Sequence, residues 1–174
     1  MLEKIDFEIL HSVDQIEGLR WRDFEWFSKW FLEALGHPHI EVTKKYGELG
    51  GDRGIDLKWE ENGEKILGQC KRWSPSFRGT FRGTLPVRVV RELGGCMLRD
   101  GARRGVFLTT LTYDETARRE AEQMHIQLYG KKEIVEVMHT LNPKFRTKPR
   151  FRILKSILRT FTGILRLLIF GYKG

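Results

Sequence analysis

Three polar side chains in the middle of the chain could together hydrolyse a phosphodiester bond. Asp56 precedes the turn signal Asn62-Gly63, and Gln69 and Lys71 follow it. Carboxylate and amide oxygens bind hard divalent cations such as Mg²⁺, which activate water and absorb charge developing on a phosphate. A lysine beside such a cation stabilises the same charge or helps to deprotonate the water. These residue types therefore fit metal-assisted hydrolysis.

The spacing of the same residues predicts that a β-hairpin brings them together. Asn-Gly between two alternating segments is a strong signal for a tight turn. Side chains two apart on a strand share a face at a separation of roughly 7 Å. Gln69 and Lys71 therefore point the same way while Cys70 points into the packing, and the hairpin returns Asp56 to their side. Each residue alone has a structural explanation, as a surface acid or a solvated strand, so only the set indicates a site.

The rest of the pattern predicts elements in the order α-β-β-β-α-β-α-β-α. Apolar residues at steps of three and four predict helices, and alternation or short apolar runs predict strands. The hairpin requires antiparallel pairs, whereas the later units favour parallel ones, which predicts an α/β fold with a central mixed sheet flanked by helices. The predicted helices are 21–35, 86–99, 114–124 and 131–139, and the predicted strands are 39–45, 54–60, 65–73, 105–110 and 126–128.

Length and charge indicate one core domain with a basic tail. The 174 residues are 40% hydrophobic and 31% charged, which is ordinary for a soluble domain. Residues 1–20 lack a clear period and are predicted as an extended lead-in or edge strand, 21–140 as the core and 141–150 as a basic linker. From Val137 onward there are nine basic residues and no acid, so the net charge of +8 belongs to the tail.

Residues 151–170 are predicted to form an amphipathic helix. Arg152, Lys155, Arg159 and Arg166 fall within about sixty degrees of a helical wheel, opposite an apolar half. Arg166 interrupts the longest apolar run, which argues against a transmembrane span. Three roles stay open for this segment: docking on the core or on a second copy, lying on an anionic membrane surface, or clamping DNA.

The cysteines and the first residues favour a cytoplasmic location. Cys70 and Cys96 have no metal-binding spacing and suggest a reducing compartment. The first ten residues contain acids and no long apolar run, so no secretory signal is expected. Peripheral contact with a membrane through the tail is compatible with that location.

The charge within the core points to a phosphate-binding surface. Residues 1–70 carry a net charge of −6 and residues 71–104 one of +7, as a metal site beside bound nucleic acid would need. Residues 77–84 repeat Phe-Arg-Gly-Thr, where glycine allows close approach, arginine holds phosphates and phenylalanine can stack. The alternative is a surface loop without a role. The predicted DNA contacts are Arg53, Arg72, Arg78, Arg82 and Arg88.

Several short motifs follow one another along the core. They are Phe24-Glu25, Leu35-Gly36, Ile-Glu-Val-Thr at 40–43, Gly-Asp-Arg-Gly-Ile-Asp-Leu at 51–57, Gln-Cys-Lys-Arg at 69–72, Val-Arg-Glu-Leu at 90–93, Gly-Val-Phe-Leu-Thr-Thr at 105–110 and Ala-Arg-Arg-Glu-Ala at 117–121. In this order they resemble the Mrr-like restriction endonuclease domain of the PD-(D/E)xK superfamily, from about Trp21 to His139. Arg53 stands where that family often has glycine, and the doubled Phe-Arg-Gly-Thr is not a recognised family feature.

The resemblance implies a restriction-endonuclease-like core and a metal-dependent DNA endonuclease, of a kind that defends against foreign or modified DNA. It implies that Asp56 is the metal-binding aspartate, that Gln69 replaces the more usual Glu or Asp, and that Lys71 is the catalytic lysine. Glu25 would be the helix carboxylate that completes the site. The expected ligands of Mg²⁺, or of Mn²⁺ in its place, are thus Glu25, Asp56 and Gln69.

Two other functions stay open. One is a catalytically silent nuclease-like module that binds DNA or serves as a membrane-tethered adaptor, against which the complete residue set argues. The other is a structure-selective nuclease for branched DNA. DNA is the expected partner, a homodimer would make double-strand cuts natural, and an anionic membrane surface could contact residues 151–170.

Overall fold

The computed structural model describes residue 7 and residues 10–43, 54–73 and 83–145. Arg53, Arg78, Arg82 and the predicted helix at 151–170 lie outside the described residues. The described elements are, in chain order, α1 (Val13–Gly18), α2 (Trp21–Ala34), β1 (Glu41–Val42), β2 (Leu57–Glu61), β3 (Glu64–Lys71), β4 (Thr84–Leu85), α3 (Val87–Asp100), β5 (Arg104–Thr109), β6 (Thr112–Tyr113), α4 (Glu115–Gln123), β7 (Ile126–Tyr129) and α5 (Lys131–Leu141).

The main sheet has the strand order β1-β2-β3-β5-β7. The first three strands pair antiparallel, and β3, β5 and β7 pair parallel through the crossover helices α3 and α4. The predicted mixed sheet flanked by helices is therefore confirmed. The structure adds a short parallel pair, β4 with β6, that the sequence pattern did not predict.

The predicted hairpin turn is present between β2 and β3. Asn62 and Gly63 both have positive φ angles, 52° and 77°, as the favoured two-residue hairpin turn requires. The strands pair with Leu57 opposite Gly68. A Cβ at Gly68 would lie 2.9 Å from the Cβ of Leu57, so the two strands approach too closely for a larger residue there.

The sheet separates two hydrophobic cores. On one face, Ile66, Val106 and Leu108 pack with the phenylalanines of α2. On the other face, Leu67 and Phe107 pack with Val89, Val90 and Leu93 of α3. Successive strand residues alternate between the faces, so α2 and α3 lie on opposite sides of β3.

The predicted extended lead-in is wrong for residues 13–18, which form α1. Ser12 caps this helix by accepting a hydrogen bond from the N–H of Gln15. The buried carboxylate of Glu17 forms an ion pair with Lys131 at the start of α5. Arg72 Nη1 donates to the carbonyl of Glu17 at 3.0 Å, which holds α1 beside the carboxyl end of β3. The stretch is too short to show a period in sequence, and its position depends on these long-range bonds.

A charged cluster closes the opposite end of the sheet. Glu61 accepts hydrogen bonds from His37 Nδ1 (2.5 Å), Trp59 Nε1 (3.1 Å) and Arg104 Nη2 (2.8 Å). Burial alone would raise the pKa of Glu61, but the three donors outweigh it and lower the pKa to about 2. The cluster borders a cavity of about 260 Å³.

No described helix is both long and apolar enough to cross a membrane.

Candidate active site

Asp56 lies immediately before β2 and forms hydrogen bonds with the neighbouring strand β3. Its N–H donates to the carbonyl of Gly68 at 2.9 Å, and its Oδ2 accepts from the N–H of Cys70 at 2.7 Å. The two bonds fall on either side of Gln69. The side chain is 4% exposed, and a carboxylate has about four acceptor positions. A carboxylate can accept a hydrogen bond at one oxygen and bind a cation as well.

Gln69 presents an amide oxygen whose hydrogen-bonding capacity is unused. The residue is 6% exposed, and its Oε1 has no hydrogen-bond donor among the described residues. A buried polar atom without a partner is costly, so its presence calls for a ligand or a functional explanation. The amide nitrogen faces Gly54, where a Cβ would lie 3.5 Å from Nε2. Gly54 has a φ of 84°, which disfavours any other residue and keeps this approach open.

Lys71 shares a face of β3 with Gln69 and Leu67. Because Leu67 packs with α3, this is the face that α3 covers. The hydroxyl of Thr109 donates to the carbonyl of Lys71 at 2.8 Å and fixes its backbone at the end of the strand. Cys70, which alternates with them, packs against the core on the α2 side.

Thr109 and Thr110 act on the backbone of β3. Besides its bond to Lys71, Thr109 Oγ1 accepts from the N–H of Leu111. Thr110 Oγ1 accepts from the N–H of Trp73 at 2.9 Å and donates to its carbonyl at 3.3 Å. Both threonines are buried. Their hydroxyls therefore have a structural role at the end of β3.

Glu25 lies on α2, which packs on the face of the sheet opposite to Gln69 and Lys71. It lies in the second turn of α2 and is 7% exposed. The bond from Arg72 to Glu17 holds the entry to α2 at the carboxyl end of β3, and Lys29 Nζ donates to the carbonyl of Ile40 farther along. Glu25 lies between these two anchors. Its role in the site with Gln69 and Lys71 thus stays a prediction.

The two described residues predicted to bind DNA have different surroundings. Arg88 is exposed on the first turn of α3. Arg72 is partly buried and donates one hydrogen bond to α1. Arg88 is therefore placed at the surface, where it could meet a phosphate, whereas the bond from Arg72 also holds the fold together.

Glu92 is a residue of this site that the sequence reasoning missed. Its Oε2 lies 3.7 Å from Nζ of Lys71, with the side chains 56% and 33% exposed. It belongs to one of the short motifs of the core, Val90 to Leu93, yet nothing in the sequence pattern placed it against a strand residue 21 positions earlier. The preceding Arg91 forms a separate pair with Glu120 on α4, at 2.7 Å.

The donor set suits a hard divalent cation. Asp56 supplies a carboxylate and Gln69 an unsatisfied amide oxygen, while Mg²⁺ and Mn²⁺ prefer oxygen ligands. Among the described residues there is no group of three or more His, Cys, Asp or Glu side chains that could hold a metal. A metal site at this position would depend on the amide of Gln69 as well as on carboxylates. Its ligands would therefore carry fewer negative charges than those of a site made only of acidic residues.

Comparisons with known proteins place the chain in a family. Residues 16–138 match the model of the family Mrr_cat, described as a restriction endonuclease. No curated protein matches the chain. Similar solved structures include a protein of unknown function, AF1548 (20% identity, TM-score 0.47, 67% of this chain), and the DNA modification-dependent restriction endonuclease AspBHI (17% identity, TM-score 0.48, 75% of this chain). The chain spans 63% of the length of the first and 35% of the second.

Proposed function

This chain belongs to the restriction endonuclease family Mrr_cat, and from that premise we propose that it hydrolyses DNA phosphodiester bonds as a divalent-metal-dependent endonuclease. The observation that carries the proposal is the buried Oε1 of Gln69, which has no hydrogen-bond donor among the described residues and lies at the strand position flanked by the two backbone bonds of Asp56. Lys71, two residues farther on the same face, adds the positive charge that phosphoryl chemistry needs.

The proposed ligands of the cation are Asp56 and Gln69, with Glu25 supplied from α2. The chemistry that a divalent cation contributes when bound is polarisation of a phosphate and acidification of water. Asp56 would hold its carboxylate in a fixed orientation through its bond to Cys70. The preorganised oxygen atoms would thus be in place before DNA arrives, which lowers the cost of assembling the site.

Lys71 would stabilise charge on the scissile phosphate or assist removal of a proton from the attacking water. Its backbone is fixed by Thr109 and its ammonium group is partly exposed, so a phosphate can approach it. Arg88, exposed on α3, would contact a neighbouring phosphate and help to hold the DNA. Defence against foreign or modified DNA is the biological role that we propose.

The direct test is cleavage of methylated and unmethylated plasmid by the full chain with Mg²⁺, Mn²⁺ or a chelator. We expect cutting that requires the cation and disappears in Asp56→Asn and Lys71→Ala. Cutting that persists in both variants would remove the site from the mechanism. If the wild type binds DNA in a salt-sensitive way and cuts neither plasmid with either cation, the catalytically silent binding module replaces this proposal.

A further inference from the structure

The ion pair between Lys71 and Glu92 joins β3 to α3 on the site face. Nζ of Lys71 and Oε2 of Glu92 are 3.7 Å apart. α3 packs on this face through Val89, Val90 and Leu93, so the helix carrying Glu92 has a fixed position relative to the strand. Both partners of the pair therefore stand on rigid elements, although their side chains are partly exposed.

The backbone around the site is fixed by hydrogen bonds, but the long side chain of Lys71 is not. Asp56 is bound to Cys70, and the carbonyl of Lys71 is bound by Thr109. Beyond that carbonyl, a lysine side chain has four rotatable bonds and loses rotamer entropy when it is ordered. The direction of the ammonium group must therefore come from a partner at its tip. Glu92 provides such a partner on the same face.

We propose that Glu92 is a positioning residue that holds the Lys71 ammonium group in line with Asp56 and Gln69, an inference that rests on the proposed nuclease function. Glu92 acts on the reaction through Lys71 and touches neither the scissile phosphate nor the cation. A partly exposed pair at this distance contributes little to folding. Its loss should consequently affect catalysis far more than stability.

The charge of Glu92 gives the proposal a distinctive kinetic signature. A carboxylate on a DNA-facing surface repels the phosphate backbone, so its neutralisation should strengthen DNA binding or leave it unchanged. The same change releases Lys71 and lowers the rate of the chemical step. We expect Glu92→Gln to reduce kcat about tenfold while KM for DNA stays equal or falls. A variant that merely perturbed the fold would not separate kcat from KM in this direction.

The experiment compares the full-length wild type with Glu92→Gln, Glu92→Asp and Glu120→Gln. Glu120→Gln is the matched control, because it removes the pair with Arg91, the residue next to Glu92, without touching Lys71. We expect wild-type kcat for the control, partial recovery in Glu92→Asp because it keeps the charge, and equal melting temperatures for wild type and Glu92→Gln. Cleavage is measured over a range of DNA and Mg²⁺ concentrations.

Three outcomes would overturn the inference. Equal kcat in wild type and Glu92→Gln would show that Lys71 needs no such partner, while the nuclease function stands. A Glu92→Gln defect that disappears at high Mg²⁺ would make Glu92 a metal ligand instead of a positioning residue. A wild type that cuts no DNA under any condition would remove the proposed function and this inference with it.

Discussion

The carboxylate of Asp56 accepts a 2.7 Å hydrogen bond from the backbone N–H of Cys70, and so fastens the start of β2 to β3 across the strand position of Gln69. The same side chain is the proposed metal ligand. One residue thus serves the hairpin and the chemistry, and the two roles can be separated by choosing substitutions that keep or remove the acceptor.

Asp56→Asn should abolish cleavage and leave the fold intact, because an amide oxygen can still accept from Cys70 but carries no charge for the cation. Asp56→Ala should abolish cleavage and also destabilise the chain by about 1–3 kcal/mol, since it removes the acceptor of the partly buried N–H of Cys70. Melting temperatures of both variants without metal check this difference. Equal stability of the two would mean that the bond to Cys70 contributes nothing to folding.

Gln69→Glu should increase the dependence of stability on metal. A second carboxylate beside Asp56 repels it in the absence of a cation and attracts the cation when one is present. We expect a lower melting temperature in chelator and a larger rise on adding Mg²⁺ or Mn²⁺ than in the wild type. Gln69→Met is the matched control, since it fills the same space without an oxygen ligand. In this variant, residue 69 should contribute nothing to the rise in melting temperature on adding metal.

Glu25→Gln should weaken cleavage by roughly 10- to 100-fold at ordinary Mg²⁺ concentrations, with part of the activity returning at higher metal. With Gln69 uncharged, the proposed site has two carboxylates, so each should matter strongly to metal affinity. Glu33→Gln serves as the control, because Glu33 is an exposed acid on the same helix that pairs with Lys29. Wild-type cleavage by Glu25→Gln would exclude Glu25 from the ligand set.

Arg88→Ala should weaken binding to DNA by about the same factor whatever the DNA sequence. A lost phosphate contact lowers by about one the slope of log Kd against log salt concentration. Arg119→Ala removes an exposed arginine from α4 that pairs with Glu115, and provides the control for total charge. Binding titrations at several salt concentrations measure both slopes. A slope in Arg88→Ala equal to that of the wild type would show that Arg88 does not meet the DNA.

Glu61 should make the fold sensitive to acid. Its pKa is near 4.5 when unfolded and about 2 in the folded chain. A lowered folded pKa stabilises the protein above pH 4.5, and that stabilisation is lost as the pH falls from 4.5 toward 2. Glu61→Gln should lower the free energy of unfolding by about 2 kcal/mol at neutral pH. The stability of this variant should also fall less steeply than that of the wild type between pH 4.5 and pH 2.

Glu64→Gln is the control for Glu61, because Glu64 also pairs with Arg104 but lies at the edge of the cluster. Thermal unfolding followed between pH 2 and pH 7 measures all three proteins. A parallel decline in wild type and Glu61→Gln would assign the acid sensitivity to other carboxylates.

The hairpin and its polar residues could be predicted from sequence because the signals are local. Asn62-Gly63 specifies a turn whose φ angles the structure reproduces, and period-two alternation specifies which side chains share a face. Gln69 and Lys71 were therefore recognisable as neighbours. The mixed character of the sheet also followed, since the hairpin requires antiparallel pairs and the later crossover units favour parallel ones.

The features that the sequence did not predict depend on contacts between residues far apart in the chain. α1 is six residues long, and its place is set by Arg72 and by the ion pair of Glu17 with Lys131. Glu92 meets Lys71 only because α3 packs on one face of β3. No local periodicity contains this information. The opposite approach of Glu25 was hidden for the same reason, as it depends on which face α2 covers.

The proposed chemistry and the Glu61 cluster lie at opposite ends of β3, a strand eight residues and roughly 25 Å long. Mutations around Arg104 that raise or lower thermal stability should therefore leave the proposed catalytic residues undisturbed. Changes in substrate preference near Lys71 should in turn leave the charged cluster intact. Under the proposed function, such a division would let heat resistance and target choice change independently, so that each could be engineered by mutations in a separate region.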